Sequence, residues 1–111
     1  MGGYVSKQSS PPHVVIATFE FKTVQDKNEF LELLKSDNGL SMTRSCNGCR
    51  LIECFEDQSN ELRMIVFQKW DREEDHKAYY DKRVASGMVE NLKEKLEGEE
   101  IRVSRFTPVS A

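Results

Sequence analysis

Apolar and polar residues alternate in four segments of the chain, and this period of two is typical of β-strands. From Val15 to Phe21 every second residue is apolar, and the opposite side of the same segment is also largely apolar over its first half. We therefore expect both faces of this strand to be covered. The four predicted strands are HVVIATFEFK (13–22), RLIECFE (50–56), LRMIVFQKW (62–70) and IRVSRFTPV (101–109).

Two further segments carry apolar residues at spacings of three and four, which indicates amphipathic helices. The first helix is predicted to begin after Thr23, whose hydroxyl suits an N-cap, and to end at Asn38–Gly39, which tolerate the left-handed conformation. The second is predicted to begin after Asp71 as its N-cap, to be interrupted at Ser86–Gly87 and to continue to Gly98.

The order of the predicted elements is β-α-β-β-α-β, which is the split βαβ pattern of ferredoxin-like folds. The sequence therefore predicts an α+β domain with one antiparallel sheet. Two helices cover only one face of a four-stranded sheet, so the apolar side chains on the other face need a partner. A second copy of the same sheet is the simplest partner, and we expect a homodimer.

The size and charge of the chain limit the number of domains and the kinds of partner that we expect. Its 111 residues suit one domain, which we place at residues 13–109, after a mobile tail rich in Gly, Ser and Pro at residues 1–12. The net charge of −3, with both signs mixed along the chain, argues against nucleic acid as a partner. Three cysteines, an odd number, and the lack of a long apolar run favour a cytoplasmic protein without a transmembrane segment.

The first residues match the N-myristoylation pattern M-G-x-x-x-[ST], with Gly2 as the acylated residue and Ser6 at the required position. A single myristoyl chain binds membranes only marginally. We therefore expect acylation of Gly2 to give no more than weak, reversible, peripheral membrane association.

Cys46 and Cys49 form a C-x-x-C pattern. A thioredoxin-like redox motif opens a helix, whose N-terminus lowers the thiol pKa, whereas this pair leads into a predicted strand. A tetrahedral zinc site needs about four ligands, and Cys54 is the one remaining thiol. We expect no metal site, and a tight turn at Gly48 accounts for the spacing.

The third predicted strand runs into the second predicted helix, and this junction contains the candidate site. The strand ends at Trp70, the sole tryptophan. Four helix residues at spacings of three and four share one stripe, namely His76, Tyr79, Tyr80 and Arg83. A tryptophan that faces imidazole, phenol and guanidinium groups has the composition of a pocket for a small molecule.

Four runs of this sequence resemble the antibiotic biosynthesis monooxygenase domain: TRSCNGCRLIE, MIVFQKW, AYYDKRVASGMVENL and IRVSRF. The resemblance extends over about residues 13–109. Its markers are Gly48-Cys49 before the second strand, Trp70 at the end of the third, and the helix pattern Tyr79-x-x-x-Arg83-x-x-x-Gly87. The resemblance implies a dimeric α+β barrel made from two ferredoxin-like sheets.

The resemblance also implies an activity, because the best-understood members of that family oxygenate electron-rich phenols or hydroquinones with O2 and without a metal or flavin cofactor. The substrate is then a small aromatic molecule. By this resemblance Trp70 is an aromatic wall with an N–H donor, Arg83 is the cation for a phenolate or superoxide, and His76 is a base. The residues expected to bind the substrate are Tyr79, Tyr80 and Phe67.

Two other interpretations stay open on the sequence. The same pocket can hold an aromatic or lipid-like ligand without turnover, in a dimeric binding module that is tethered to a membrane through Gly2. A purely structural dimerisation domain would fill the pocket with its own side chains. Consumption of O2 in the presence of hydroquinones distinguishes the enzyme from both.

Overall fold

A computed structural model of the chain describes residues 10–110. Its elements follow the predicted order. The strands are β1 (His13–Glu20), β2 (Cys49–Glu56), β3 (Arg63–Trp70) and β4 (Arg102–Phe106). The helices are α1 (Val24–Lys35), α2 (Leu40–Arg44), α3 (Glu73–Ala85) and α4 (Met88–Lys93), with a short 3-10 turn at Glu97–Glu99.

The four strands form one antiparallel sheet in the order β2-β3-β1-β4. The two central strands pair along their full length, with His13 opposite Trp70 and Glu20 opposite Arg63. β3 therefore lies between β1 and β2, which the helix α1 connects. This arrangement confirms the predicted ferredoxin-like α+β fold.

The helices cover one face of the sheet, and the core lies between them. Side chains of β1 and β3 alternate between the two faces, so residues of one parity are buried beneath the helices. The fully or almost fully buried residues of this core include Val15, Ala17, Phe19, Phe21, Met64, Val66 and Leu96. The apolar face of β1 that extends from Val15 to Phe21 is thus the core face.

The helix α1 begins as predicted and ends earlier than predicted. The Oγ1 of Thr23 accepts a hydrogen bond from the backbone N–H of Asp26 at 3.0 Å, which is the expected cap. The helix ends at Lys35, because Ser36 takes an extended conformation and its hydroxyl donates to the carbonyl of Leu33 at 2.6 Å. The serine, rather than Asn38–Gly39, ends the helix.

Gly39 has a different structural role from the one predicted. Its φ is −96°, so it is not in the left-handed region. A Cβ at this position would overlap the backbone carbonyl oxygens of Leu33 and Leu34. Gly39 is therefore required for the close packing of the α1–α2 connection, and the prediction of a left-handed helix stop was wrong.

The start of α3 also differs from the prediction. Its N-cap is Arg72, without a side-chain capping bond, and the backbone N–H groups of Asp75 and His76 donate to the Arg72 carbonyl. The carboxylate of Asp71 instead accepts a hydrogen bond from Nε of Arg50 at 2.6 Å. The ion pair with the neighbouring strand holds Asp71 away from the helix end.

The two helices after β3 meet at Gly87, whose φ of +84° lies in the left-handed region. This confirms the predicted interruption at Ser86–Gly87.

The last strand is shorter than predicted, since β4 ends at Phe106 and Pro108 lies beyond it. The predicted acylation site, Gly2, lies outside the described residues.

The second face of the sheet has no covering element among residues 10–110. Phe55 and Phe106 on this face are 48% and 49% exposed, whereas Val14 is 7% exposed. The apolar residues that share the face are Val14, Ile16, Leu51, Phe55, Ile65, Phe67 and Phe106, as the strand register shows. We call this surface the open face.

Candidate functional site

A cavity of about 80 Å³ lies between the helices and the covered face of the sheet. Its wall consists mostly of aliphatic and aromatic side chains from both layers. Six polar or amphipathic side chains interrupt this wall: Thr43, Gln68, His76, Tyr79, Tyr80 and Arg83. Four of the six come from α3, so the cavity contains the stripe that the sequence predicts.

Helix periodicity explains why the four α3 residues converge. Residues three and four apart lie on one side of a helix, and α3 turns that side toward the sheet. His76 and Arg83 are buried, with 6% of each residue exposed. The structure therefore brings His76, Tyr79, Tyr80 and Arg83 together at one cavity.

Arg83 makes an extended set of hydrogen bonds at one end of the cavity. Its Nη1 donates to the carbonyl of Asn38 at 2.8 Å, and its Nη2 donates to the carbonyl of Gly39 at 3.0 Å. Nη2 also donates to Oγ1 of Thr43 at 3.0 Å, and Nε donates to the hydroxyl of Tyr79 at 3.0 Å. Four of the five N–H groups of the guanidinium are thus used within the protein.

Within the described part of the chain, the positive charge of Arg83 is balanced by hydrogen-bond acceptors and by the ring of Tyr79, whose centroid lies 5.3 Å from its Cζ. No carboxylate between residues 10 and 110 lies within ion-pair distance of the guanidinium. A buried charge without a counterion is costly, and an anion beside it is favoured. The cavity therefore has a positive end.

Tyr79 presents a hydroxyl that is held by two donors. Arg83 Nε is one, and Oγ1 of Thr43 is the other, at 3.1 Å. The competing acceptor for the Thr43 proton, the carbonyl of Gly39, is farther away at 3.4 Å. Two donors on the phenolic oxygen leave the Tyr79 proton available to an acceptor in the cavity.

His76 lies at the other end of the stripe and is uncharged at neutral pH. Burial, followed by electrostatic interactions with His13 and Arg105, lowers its pKa to about 4, against a smaller opposing effect of Glu73. Its ring packs edge-on against Trp70, with 5.7 Å between the ring centroids. The neutral imidazole can accept a hydrogen bond or a proton.

A second depression, an open groove of about 480 Å³, lies outside the cavity between α3 and β4. His76 and Tyr80 line both the cavity and this outer groove. Charged side chains such as Glu73 and Arg105 border the groove. The two shared residues therefore form the partition between the cavity and solvent.

Trp70 supports the cavity from behind and does not line it. The residue is fully buried, and its ring packs against Tyr79 and His76 at centroid distances of 5.2 and 5.7 Å. Its Nε1 donates to Oε1 of Gln68 at 2.9 Å. The expectation that this N–H is available to a substrate is corrected, because Gln68 already accepts it.

Phe67 lies away from the cavity. Val66 and Gln68 line the cavity, and neighbours in a strand point to opposite faces. Phe67 is therefore on the open face, opposite Ile16 of β1 and Glu53 of β2. Phe67 therefore does not line the cavity that contains the α3 residues, and substrate binding by Phe67 stays a prediction.

Two of the six polar or amphipathic cavity residues were not predicted. Gln68 is a polar residue on the core face of β3, between Val66 and Trp70, and that mismatch is a signal in the sequence. Thr43 belongs to the short helix α2 and has no such signal. Its place beside Arg83 depends on how α2 packs, which local pattern does not determine.

The described part of the chain has no helix that is both long and apolar enough to cross a membrane. Within residues 10–110 no three side chains of His, Cys, Asp or Glu converge in a way that can hold a metal ion. The polar groups of the cavity are instead hydrogen-bond donors and acceptors.

A comparison with protein families matches residues 12–90 to the antibiotic biosynthesis monooxygenase model, and this range includes every cavity residue of α2, β3 and α3. The chain belongs to the antibiotic biosynthesis monooxygenase family. Membership agrees with the resemblance that the sequence motifs showed. A comparison with curated proteins finds no match.

Solved structures similar to this antibiotic biosynthesis monooxygenase family member share its fold. A conserved protein from Methanosarcina mazei has a TM-score of 0.74 and 17% identity, over 93% of this chain and 96% of that one. A dimeric ferredoxin-like protein from an uncultured marine organism has a TM-score of 0.70 and 20% identity, over 92% and 91%. A Streptomyces coelicolor monooxygenase in complex with nanaomycin D has a TM-score of 0.73 and 15% identity, over 91% and 90%.

Proposed function

We propose that this protein is a monooxygenase that oxidises a small electron-rich aromatic molecule, a phenol or hydroquinone, with O2 and without a metal or flavin. The observation that carries the proposal is the positive end of a largely apolar cavity, where Arg83 and Tyr79 offer donors to an anion. Family membership and the monooxygenase among the structural neighbours support it.

The reaction needs the substrate as an electron-rich anion in a dry site. The phenolate passes one electron to O2, and the resulting radical and superoxide combine at a ring carbon. One oxygen atom of O2 stays on the ring and the other leaves as water, so that a phenol becomes a quinone. The protein has to stabilise the phenolate and exclude water.

Different cavity residues stabilise the phenolate and accept its proton. The hydroxyl of Tyr79 and the unused N–H of Arg83 are donors for the phenolate oxygen. Neutral His76 accepts the substrate proton or orients the hydroxyl, and it lies on the partition to the outer groove, which gives the proton a route to solvent. A base of pKa about 4 is weak, so deprotonation of a phenol depends on the stabilised anion.

The cavity volume points to a single-ring substrate. Its 80 Å³ is smaller than the roughly 150 Å³ of an engineered protein cavity that holds benzene, so even one ring requires side chains to move. Met88 lines both this cavity and a groove between α1 and α4, and methionine adapts readily to such a change. Polycyclic substrates would require much larger rearrangement.

The experiment is O2 uptake with a panel of single-ring phenols and hydroquinones, followed by mass analysis of products formed under ¹⁸O2. We expect one labelled oxygen in the product, and loss of uptake in Tyr79→Phe, Trp70→Phe and Arg83→Gln. Lys82→Gln, an exposed change on the same helix, is the control that should keep full activity. Folding of each variant is checked by circular dichroism.

Binding of these compounds without O2 uptake by the wild-type protein would overturn the enzyme proposal and favour a non-catalytic binding module. Neither binding nor uptake would favour a structural domain. Uptake that survives in Tyr79→Phe would remove Tyr79 from the site even if the enzyme proposal stands.

The open face supports a homodimer as part of the same proposal. Six of its seven apolar residues are at least partly exposed, all except Val14, and exposed apolar surfaces of this kind usually mark protein contacts. We expect sedimentation to show a dimer that Phe55→Glu dissociates. Val84→Glu is the matched control, because Val84 is 50% exposed on α3 and not on the open face. A monomeric wild-type protein would contradict the dimer.

A further inference from the structure

A turn of four residues, Cys46 to Cys49, joins α2 to β2. The backbone N–H of Cys49 donates to the carbonyl of Cys46 at 3.2 Å, and Gly48 within the turn has a φ of +85°. A turn of this kind holds the Cα atoms of its first and last residues within about 7 Å. A disulfide spans Cα atoms about 4.4–6.8 Å apart. The backbone thus already holds Cys46 and Cys49 at a separation that suits a disulfide.

The three cysteines differ in their surroundings. All three are partly exposed, and burial is the main effect that raises the pKa of the Cys49 thiol at the turn. On β2, burial and the neighbouring Glu56 raise the pKa of Cys54 to about 11. Cys54 is therefore a poor nucleophile, and it serves as the control thiol in the test below.

The turn is fastened to the start of α3. The carbonyl of Gly48 accepts a hydrogen bond from the backbone N–H of Asp71 at 2.8 Å, and Nδ2 of Asn47 lies 3.4 Å from Oδ1 of Asp75. Cys49 is directly opposite Trp70 in the sheet. Formation of a disulfide in the turn should therefore change the surroundings of Trp70, the only tryptophan, which packs against the cavity residue Tyr79.

We propose that Cys46 and Cys49 form a reversible intramolecular disulfide when the protein meets a hydroperoxide, such as hydrogen peroxide. The thiolate of Cys46 attacks a peroxide oxygen, the O–O bond breaks, and a sulfenic acid and water result. The thiolate of Cys49 then attacks the Cys46 sulfur, the S–S bond forms and a second water leaves. Two thiols and one hydrogen peroxide give one disulfide and two waters, and a dithiol reductant restores the thiols.

The pair differs from a thioredoxin-type catalyst. Cys49 leads into β2, so no helix N-terminus lowers a thiol pKa at the turn. We therefore assign the turn a stoichiometric response to peroxide and not the turnover of disulfides in other proteins. This inference is independent of the monooxygenase proposal, because it involves neither the cavity nor a substrate.

The test treats the full chain with hydrogen peroxide and follows intact mass, peptide connectivity and Trp70 fluorescence. We expect a mass lower by two hydrogen atoms, a Cys46–Cys49 linkage in the peptide map, and a fluorescence change that dithiothreitol reverses. Cys54→Ser should respond as the wild type does. Cys46→Ser and Cys49→Ser should form no intramolecular disulfide.

The order of the two steps has its own readout. Cys49→Ser should accumulate a sulfenic acid on Cys46 that dimedone traps, because the second thiol is absent. A linkage that involves Cys54, a disulfide that persists in Cys46→Ser, or direct conversion to sulfinic acid in the wild type would each overturn the proposal. Circular dichroism of the serine variants separates a chemical effect from misfolding.

Discussion

The two ends of α3 contribute to the same cavity, and they are held in opposite ways. At the C-terminal end, Arg83 is fixed by four hydrogen bonds to the α1–α2 connection, to Thr43 and to Tyr79. At the N-terminal end, His76 is placed by ring packing, while its neighbour Asp75 rests on the Cys46–Cys49 turn.

This difference shows that residue type alone does not distinguish a structural group from a reactive one. The sequence places His76 and Arg83 on one stripe and suggests chemistry for both. In the structure most of the hydrogen-bonding capacity of Arg83 is used within the protein, whereas the imidazole of His76 adjoins both the cavity and the outer groove. Arg83 therefore holds the cavity residues together, and the imidazole of His76 adjoins both the cavity and the groove that opens to solvent.

The largest effect should come from Arg83→Leu. It removes the Arg83 donor of the Asn38 carbonyl and one of the donors of the Gly39 carbonyl and of the Tyr79 hydroxyl, and we expect a loss of about 3–4 kcal/mol in the free energy of unfolding. Urea unfolding measures it. Lys82→Ala, an exposed neighbour, should change the value by less than about 0.5 kcal/mol. A similar small change in Arg83→Leu would show that the C-terminal end is not held as described.

The next effect concerns pH at the N-terminal end. The pKa of His76 is about 4 in the folded protein and about 6.5 in the unfolded chain, so between these values the unfolded state binds more protons. Stability should therefore fall as pH drops from about 6.5 to 4, by up to about 3 kcal/mol from this residue.

Unfolding free energies of the wild type and His76→Gln, measured from pH 7 to pH 4, test this dependence. The difference between the two proteins should change with pH over this interval. Lys77→Gln, on the exposed side of the same helix, should keep the wild-type slope. Equal slopes in the wild type and His76→Gln would mean that the folded protein does not hold this imidazole neutral.

A smaller effect comes from two glycines with nearly the same backbone conformation. Gly48 has φ +85° and Gly87 has φ +84°. A Cβ at Gly48 would overlap the carboxylate of Asp75, whereas a Cβ at Gly87 meets nothing. Gly87→Ala should cost about 1 kcal/mol from backbone strain, and Gly48→Ala about 2 kcal/mol more. Equal losses in thermal or urea unfolding would exclude a close contact between the turn and α3.

The smallest effect distinguishes two adjacent phenols. Tyr79→Phe removes the hydroxyl that accepts from Arg83 and Thr43, and it should cost about 1 kcal/mol of stability. Tyr80→Phe should be nearly neutral, since no residue in the described range bonds to its hydroxyl. If the two changes have the same effect, the hydrogen bonds of Tyr79 contribute little to stability.

Much of the fold follows from local pattern. Three features were predictable because each depends on residues close together in the sequence. They are the alternation in β1 and β3, the cap at Thr23 and the break at Gly87. The errors arose where a local preference met a competing partner. Asp71 is a good N-cap by type, but Arg50 from the adjacent strand binds its carboxylate.

The sequence by itself determined the order of the elements, the core face of the sheet and the stripe on α3, since hydrophobic periodicity encodes these features directly. It also carried the motifs that place the chain in its family. Only the tertiary structure decided which groups of the stripe remain available. That choice depends on how the side chains pack. Asn38 and Thr43, both distant in the chain, engage Arg83, whereas the nearby Gln68 takes the indole N–H of Trp70. Satisfied hydrogen bonds are set by packing, and packing is not local.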